Sequence, residues 1–337
     1  MNNDVIKRLK NAGLLSDQAH DLGFVSTGSY ALNKIISGDY MKGIPIGMIT
    51  QFHGEASTAK TVFATHILKE AQSKGYYSML VDSENAYNPT FARQLGVDPE
   101  RLIYSTPETL EESFQVMEET ITSIREADPD TPIVIAYDSI AVSPSKAEYE
   151  AESYDGNNMQ GAIRAKATGA CLRKINPLMR KHKVALIVIN QIRSKVGVMY
   201  GNPETMAAGG KSLDYYLGVN LKCVSNKTAD LIRDDNKQVV GITGTVRNTK
   251  NKVSIPFREC EFELMYDKGL NSCAGMLKQL VLDNVVDQSG AWYSWNGVKF
   301  QRKEFDNSFS SGEKFAGLRK AVGVEPQPAE NKELTAE

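Results

Sequence analysis

The chain has 337 residues, 41% hydrophobic and 24% charged, which is ordinary for a globular protein with a sizeable core. Its formal net charge of −2 excludes a global positive field, so any contact with nucleic acid must come from local basic segments. The four cysteines are scattered without a C-x-x-C pair, which disfavours a disulfide framework or a zinc site. The polar start and the absence of any apolar run of roughly 18 residues favour a soluble cytoplasmic protein without a secretory signal or membrane contact.

The first segment, residues 3–12, has the pattern of a short helix. Asn3 or Asp4 can cap its start, and Gly13 can end it. Its apolar stripe is too narrow for a unit that stands alone. We therefore expect this helix to dock on another part of the assembly.

From about residue 28 the pattern is that of an α/β fold with a mostly parallel sheet. Continuous apolar runs alternate with helical periodicity, as in a sheet covered by helices on both faces. The runs predict strands at 47–52, 76–84, 132–140 and 184–192, and a helix at 60–73. Ligands of such sheets bind beyond the carboxyl ends of the strands. The acids and amides that end these runs therefore mark a candidate site.

The stretch "HGEASTAKTV" at 53–62 is close to the phosphate-binding pattern G-x-x-x-x-G-K-[ST]. Gly54, Lys60 and Thr61 match, and a strand before them and a helix after them supply the context that the pattern requires. In such a loop Lys60 reaches the β- and γ-phosphates and the Thr61 hydroxyl binds Mg²⁺. Without that context, the match is equally compatible with an ordinary strand–turn–helix.

Ala59 replaces the second glycine of the pattern. If the position needs a positive φ, alanine costs on the order of 1–2 kcal/mol there. If the position is already helical, alanine costs nothing and favours the helix.

Three polar residues end predicted strands near this loop. Asp138 stands where phosphate-loop enzymes keep the acid that helps to hold Mg²⁺, although it is also compatible with a simple helix cap. Glu84 can orient an attacking water, or can be a solvated strand end. Gln191 can sense the γ-phosphate, which alone is a weak signal. Their agreement with one loop makes the nucleotide site the stronger hypothesis.

Taken together, these residues resemble the RecA recombinase family over roughly 25–300. The resemblance is carried by segments spread along the chain: "STGS" at 26–29, "VDSENAYNPTFARQLGVD" at 81–98, "YDSIAVSPSKAE" at 137–148, "INQIRSKVGVMYGNPETMAAGGKSLDYY" at 189–216, "KNK" at 250–252 and "GAWYSWNGVK" at 290–299. The part at 189–210 is the most specific. The "RAK" triplet at 164–166 is more similar to phage recombinases of the UvsX type.

The resemblance implies a protein that uses ATP and Mg²⁺ to polymerise on single-stranded DNA and to exchange strands with double-stranded DNA. It implies the cytoplasm of a bacterium, or of the host for a phage protein, with single-strand-binding and loader proteins as further partners. It also implies an N-terminal protomer-docking helix and linker at 1–24, a RecA-like ATPase core at 25–265 and a small C-terminal α+β domain at 266–324. The polar, acidic composition of 325–337 predicts a disordered tail.

The resemblance also implies roles for particular residues. Glu84 becomes the carboxylate that activates water, and Gln191 the residue that couples the ATP state to a DNA loop. Lys250 and Lys252 match paired lysines that reach the ATP of the neighbouring protomer, where their charge neutralises the γ-phosphate. Phe91 stacks on adenine. The predicted nucleotide contacts are Gly54, Glu55, Ser57, Thr58, Ala59, Lys60, Thr61, Phe91 and Asp138, with Thr61 and Asp138 at the metal.

Two segments are suited to single-stranded DNA. Residues 195–210 lack strong periodicity, which is typical of a functional or a disordered loop, and the resemblance makes them the second DNA-binding loop. Residues 154–166 resemble the first. Basic side chains there can contact phosphates, and apolar ones can wedge between bases. The predicted DNA contacts are Met159, Arg164, Lys166, Arg193, Lys195, Val196, Met199, Tyr200, Met206, Gly209 and Gly210.

Two other functions compete with an active recombinase. A nucleotide-dependent binding module would barely hydrolyse ATP, and it would not need Glu84, Gln191 and the two lysines together. A ring helicase shares the core fold but lacks the loop at 193–210 in this form. Both fit the sequence less well than the recombinase does.

Overall fold

A computed structural model describes residues 4, 5, 7, 8, 12, 22–151, 158–194, 204–206, 210–225 and 230–325, with the backbone alone for 158–160, 193, 194, 204–206, 210 and 211. The strands are β1 (Phe24–Val25), β2 (Ile44–Pro45), β3 (Ile49–Gly54), β4 (Tyr77–Asp82), β5 (Leu102–Ser105), β6 (Ile133–Asp138), β7 (Val184–Ser194), β8 (Glu204–Met206), β9 (Leu217–Val224), β10 (Leu231–Arg233), β11 (Val239–Asn251), β12 (Glu259–Met265), β13 (Gly269–Leu270), β14 (Asp287–Ser289), β15 (Trp292–Trp295) and β16 (Val298–Gln301). The helices are α1 (Tyr30–Ser37), α2 (Lys60–Ser73), α3 (Pro89–Gln94), α4 (Leu110–Ala127), α5 (Lys146–Tyr149), α6 (Asn158–Lys181), α7 (Gly210–Tyr216), α8 (Met276–Leu282), α9 (Arg302–Ser308) and α10 (Ala316–Ala321).

The central sheet has the strand order β13-β12-β11-β9-β3-β7-β6-β4-β5. The six strands from β9 to β5 run parallel, and β11, β12 and β13 extend the sheet with antiparallel pairing. The strand β3 lies between β9 and β7 and is buried along its whole length. Its carboxyl end therefore opens at the middle of the parallel part, where such sheets bind ligands.

Helices cover both faces of this sheet. Phe63 and Ile67 of α2 belong to the buried cluster on one face, together with Phe52 of β3. Phe114 of α4 and Leu172 of α6 belong to the cluster on the other face. The near-continuous apolar strands of the sequence follow from this burial on two sides, so the predicted α/β fold is confirmed.

A small C-terminal unit contains the sheet β14-β15-β16 and the helices α8, α9 and α10. Its core is aromatic, with Phe300, Phe305 and Phe315 in mutual ring contact. Tyr30 of α1 also packs into this cluster. By strand pairing β13 belongs to the central sheet, although it lies past residue 265, where we predicted that the core ends. The four-part division itself stays a prediction.

The predicted core elements are confirmed, with shifts of at most two residues at their ends. The helix over 60–73 begins and ends as predicted, and the strands predicted at 47–52, 76–84, 132–140 and 184–192 correspond to β3, β4, β6 and β7. Most of the helix predicted over 3–12 lies outside the described residues; the four that are described there as helical are Asp4, Val5, Lys7 and Arg8. In the part of the chain that the structure describes, no helix combines the length and apolarity needed to cross a membrane.

Two predicted DNA-binding loops are partly regular structure. The helix α6 begins at Asn158, so the prediction of a loop was wrong for 158–166. The strand β8 pairs antiparallel with the end of β7, and α7 begins at Gly210, so the segment 195–210 is not a loop throughout. Local sequence pattern did not reveal these elements, which are stabilised by pairing with β7 or by continuation into a long helix.

Candidate nucleotide site

The connection from β3 to α2 forms a tight loop around Gly54. A Cβ at Gly54 would lie 2.4 Å from the carbonyl oxygen of Cys223 on the adjacent strand β9, so only glycine fits. The Thr58 hydroxyl donates to the Glu55 carbonyl oxygen at 2.9 Å. The loop is thus closed by its own contacts before any ligand is added.

Ala59 has a φ of 65° and a ψ of 13°, in the left-handed region. Of the two alternatives for this position, the strained one is therefore correct. Ser57, two residues earlier, also has a positive φ, of 64°. The loop keeps the backbone shape that a glycine would adopt, and alanine bears the strain.

The start of α2 is suited to an anion. Its N-cap residue Ala59 provides no side-chain hydrogen bond, so the first N–H groups of this 14-residue helix are left without a side-chain cap. Lys60 is 7% exposed, and its Nζ donates to the Glu55 carbonyl oxygen at 2.5 Å within the loop. A buried ammonium beside uncapped helix N–H groups fits the phosphates of a nucleotide.

Two carboxylates stand beside the loop at the ends of β6 and β4. Asp138 and Asp82 are opposite each other in the register of these strands, and both are buried. The Thr61 hydroxyl donates to Asp138 Oδ2 at 2.6 Å. Burial raises the pKa of Asp138 to about 6, the Thr61 hydrogen bond opposes that rise, and the charges of Glu84 and Asp82 add to it. A hydroxyl and a carboxylate that is crowded by two further acids fit a divalent cation such as Mg²⁺, whose charge would favour the ionised form of Asp138.

Glu84 lies two residues past the end of β4, not within the strand as we predicted, because Asp82 ends it. Its Oε1 accepts from the Ser139 hydroxyl at 2.8 Å and from Gln191 Nε2 at 3.3 Å. The Glu84 backbone N–H donates to Asp82 Oδ1 at 3.1 Å. The structure therefore brings Glu84 and Gln191 together, beside the Thr61–Asp138 pair.

Asp82 and Ser139 were missed by the sequence reasoning. Asp82 accepts from the backbone N–H of Tyr87 at 2.9 Å and from the Tyr104 hydroxyl at 3.1 Å. Its signal was present in "VDSE", where the first acid, not the second, is the strand end. Nothing in the sequence around Ser139 indicates its contact with Glu84, which depends on the tertiary fold.

Phe91 lines a small pocket next to the cation-binding pair. Thr61, Asp138, Tyr87 and Asn88 line the same pocket. Asn88 caps α3, since its Oδ1 accepts from the backbone N–H groups of Thr90 at 2.9 Å and Phe91 at 3.1 Å. Phe91 therefore shares a pocket with the residues that fit a cation, and its stacking on adenine stays a prediction.

The side chains of Lys250 and Lys252 extend towards the amino end of the parallel strands, away from the phosphate loop. The Nζ of Lys250 donates to the Asp214 carbonyl oxygen, and that of Lys252 donates to the Tyr215 carbonyl oxygen at 3.4 Å. These carbonyls precede β9, whose first residue pairs with the first residue of β3. The phosphate loop begins five residues later, roughly 16 Å along the strand.

Asn251, between the two lysines, anchors the end of β11. Its Nδ2 donates to the Ile36 carbonyl oxygen at 2.7 Å, and its Oδ1 accepts from the backbone N–H groups of Val253 at 2.8 Å and Ser254 at 3.1 Å. The alternation of side chains along the chain directs the asparagine inward. Of the flanking lysines, Lys250 is half-buried and Lys252 is exposed.

The predicted DNA contacts are only partly within the described residues. Arg164 is half-buried, and its guanidinium donates to the carbonyl oxygens of Ile140 at 2.8 Å and Ala141 at 2.6 Å, so it fastens α6 to the chain after β6. Lys166 is exposed on α6. The backbone alone is described for Met159, Arg193, Met206 and Gly210, and Lys195, Val196, Met199, Tyr200 and Gly209 lie outside the described residues. Their DNA contacts stay predictions.

Comparison with known proteins agrees with this geometry. Residues 8–271 match the family model described as the RecA N-terminal domain. The chain is 36% identical over 283 residues to the protein RecA of Paramagnetospirillum magneticum, covering 84% of this chain and 74% of that one. It is 34% identical over 315 residues to the protein RecA of Desulforapulum autotrophicum, covering 91% of this chain and 86% of that one. With the phosphate loop, the paired acids and the core sheet in place, this similarity over most of its length means that the chain belongs to the RecA family.

Proposed function

We propose that this chain forms filaments on single-stranded DNA in the presence of ATP and catalyses homologous pairing and strand exchange. DNA stimulates ATP hydrolysis, which takes place at the contacts between protomers. Membership of the RecA family supports the general class of function. The site geometry supports the particular steps.

The observation that carries this proposal is the placement of Glu84. Its carboxylate accepts hydrogen bonds from Ser139 and Gln191, next to the residues that fit phosphates and a cation. A carboxylate held by two donors keeps one defined orientation, which a general base for an attacking water requires. A protein that only bound the nucleotide would not need such a group.

The remaining residues hold the nucleotide. The N–H groups at the start of α2 and the Lys60 ammonium bind the β- and γ-phosphates. Thr61 and Asp138 would hold Mg²⁺, which when bound neutralises charge on the phosphate oxygens. Phe91 packs against the base.

The two lysines complete the site of a neighbouring protomer. Lys250 and Lys252 extend towards the amino end of the parallel strands, away from their own phosphate loop, and each is held by a backbone carbonyl. Burial and the nearby Lys252 charge lower the pKa of Lys250. An anion supplied by a second copy would reverse the effect of this repulsion. Hydrolysis of ATP then requires that protomers assemble, and protomers assemble on DNA.

The test compares ATP hydrolysis of the wild type with that of Glu84→Gln, each with and without single-stranded DNA. We expect the wild-type rate to rise strongly with DNA, and the variant to lose at least about a hundredfold of that rate while it still binds DNA in the presence of ATP. Glu126→Gln, at an exposed position on α4, is the matched control and should behave as the wild type. Hydrolysis that ignores DNA, or a variant as fast as the wild type, would contradict the proposal.

A further inference from the structure

Three amide side chains form a buried row across β9, β3 and β7. Gln51 and Asn190 are fully buried, and Asn220 is 8% exposed. Gln51 Nε2 donates to Asn220 Oδ1 at 2.9 Å, and Asn190 Nδ2 donates to Gln51 Oε1 at 3.1 Å. We refer to Asn220, Gln51 and Asn190 as the amide row.

The row ends at the backbone of Gln191, whose N–H donates to Asn190 Oδ1 at 2.9 Å. Because a backbone N–H can only donate, Asn190 must present its oxygen there and its amino group to Gln51. Gln51 must then present its own amino group to Asn220. All the bonds thus run in one direction, and such chains strengthen each bond by polarising the next.

The strands around the row do not need amides for their packing. Ile49 of β3 and Leu186 and Val188 of β7 are fully buried apolar residues. Burying an amide costs free energy unless all its partners are in place. A row of three amides therefore stabilises the contact between strands less readily than apolar side chains would. Its position suggests a purpose other than packing.

The two ends of the row lie at the two parts of the proposed ATPase site. At one end, Gln191 donates through its side chain to Glu84 Oε1 at 3.3 Å. At the other end, Asn220 is the register partner of Lys250 on β11. The row therefore connects the strand that carries a lysine for the neighbouring ATP with the strand end that contacts the water-activating carboxylate.

We propose that Asn220, Gln51 and Asn190 are positioning residues, which hold the Gln191 main chain so that its side-chain amide meets Glu84. This inference rests on the proposed ATPase function. None of the three hydrogen bonds that form the row involves a phosphate-binding residue or the cation-binding pair. It thus sets the rate of hydrolysis and leaves nucleotide binding unchanged.

The first test is Gln51→Met, which keeps the volume and removes both amide bonds. We expect kcat for DNA-stimulated ATP hydrolysis to fall by about tenfold to a hundredfold, because small displacements of groups at the reaction centre have effects of that size. KM for ATP should stay within about threefold, since nucleotide binding is untouched. A role in stability alone would not separate kcat from KM in this way.

The second test asks whether Gln51 acts through Gln191. In the background Gln191→Ala, the further change Gln51→Met should have little additional effect on kcat, because the group that the row positions is already gone. If Gln51→Met lowers kcat by the same factor in the Gln191→Ala background as in the wild type, the inference is overturned. If Gln51→Met does not fold, Asn220→Leu, at the slightly exposed end of the row, is measured in the same two backgrounds with the same expectations.

The matched control is Thr50→Val, one residue earlier in β3. Thr50 is fully buried, and its hydroxyl has no hydrogen-bond partner among the described residues, so kcat and KM should match the wild type. A wild type without ATPase activity would refute the proposed function itself. An active wild type with an equally active Gln51→Met variant would refute only the role of the amide row.

Discussion

Ala59 combines a strained backbone with a buried methyl group. A left-handed φ costs an alanine on the order of 1–2 kcal/mol. The methyl group is only 9% exposed and packs in the cluster with Phe63, and burying it stabilises the fold by about 0.8 kcal/mol. Alanine also restricts the unfolded chain relative to glycine, by about 0.4–1 kcal/mol. These terms nearly cancel, which explains how the loop keeps its shape without the second glycine.

We therefore expect Ala59→Gly to change the free energy of unfolding by no more than about 1 kcal/mol. Ala59→Val should destabilise by about 2 kcal/mol or more, because a β-branched residue is a genuine outlier in the left-handed region. Urea unfolding of both variants measures these values. If Ala59→Gly raised the free energy of unfolding by much more than this, the backbone strain of Ala59 would not be offset by the burial of its methyl group.

Residue identities at the phosphate loop could be predicted because few residue types perform their chemistry. Lys60 and Thr61 were found by spacing, and Asp138 by its position at a strand end. The conformation of Ala59 could not be predicted, since the sequence leaves both a left-handed and a helical backbone open at that position. Asp82 was overlooked because strand ends are uncertain by a few residues in sequence reasoning, and Glu84 lies within that uncertainty.

His66, one and a half turns past the phosphate loop, fastens the helix α2 to the central sheet. His66 Nε2 accepts from the backbone N–H of Leu270 on β13 at 3.1 Å, so the ring links α2 to the end of the sheet. A Cβ at Gly269 would lie 2.4 Å from His66 Nε2, and that residue has a φ of 80°, so glycine is required beside the ring. Burial, with a smaller contribution from the Lys69 charge, lowers the pKa of His66 to about 3.

This histidine should make stability depend on pH. Its pKa is about 6.5 when unfolded and about 3 when folded, so between these values the unfolded chain binds the extra proton. Stability therefore falls as the pH drops from about 6.5 towards 3, by up to about 1.4 kcal/mol per pH unit from this group. His66→Gln keeps an acceptor for Leu270 and does not titrate.

The measurement is urea unfolding of wild type and His66→Gln at several pH values from 7 to 4. We expect the difference in unfolding free energy between the two proteins to shift in favour of the variant as the pH falls. Carboxylates contribute to both proteins, so they cancel in the difference. A difference that is independent of pH would show that the pKa of His66 is the same in the folded and unfolded states, which would contradict the burial of a neutral ring.

At the scale of elements, the sequence pattern predicted the strands and the helix that are buried on two sides. The core strands and α2 were found because their apolar runs face helices on both sides. The antiparallel extension β11 to β13 was not predicted, since its strands alternate between buried and half-buried positions and pair far along the chain. The loop predictions at 158–166 and 204–206 were wrong for a similar reason, because α6 and β8 depend on neighbouring elements.

At the scale of the whole molecule, the protein is a RecA-type recombinase built on a P-loop ATPase core. Its phosphate loop opens at the carboxyl end of the parallel strands, and the ammonium groups of Lys250 and Lys252 reach towards the amino end. In the proposed filament these two different surfaces would meet head to tail, a contact that repeats without closing unless the rotation forms a ring. Each site would then depend on two protomers.

Mixing two inactive variants tests this arrangement. Lys60→Ala lacks its own phosphate lysine, and Lys250→Ala lacks the lysine given to the neighbour, so each alone should be nearly inactive. In an equal mixture, a contact is intact when a Lys250→Ala protomer receives the lysines of a Lys60→Ala protomer. Random assembly gives this with a probability of one half times one half, so recovery should reach about a quarter of the wild-type rate.

The control is a mixture of Lys60→Ala with the double variant Lys60→Ala and Lys250→Ala, in which no protomer has a complete phosphate loop. It should recover nothing at any ratio, while fluorescent labels on the two proteins report whether they assemble together. Co-assembly without recovery in the first mixture would mean that Lys250 serves its own protomer. Recovery that peaks near equal amounts would follow only from lysines acting across the contact, because each intact site then needs one protomer of each kind.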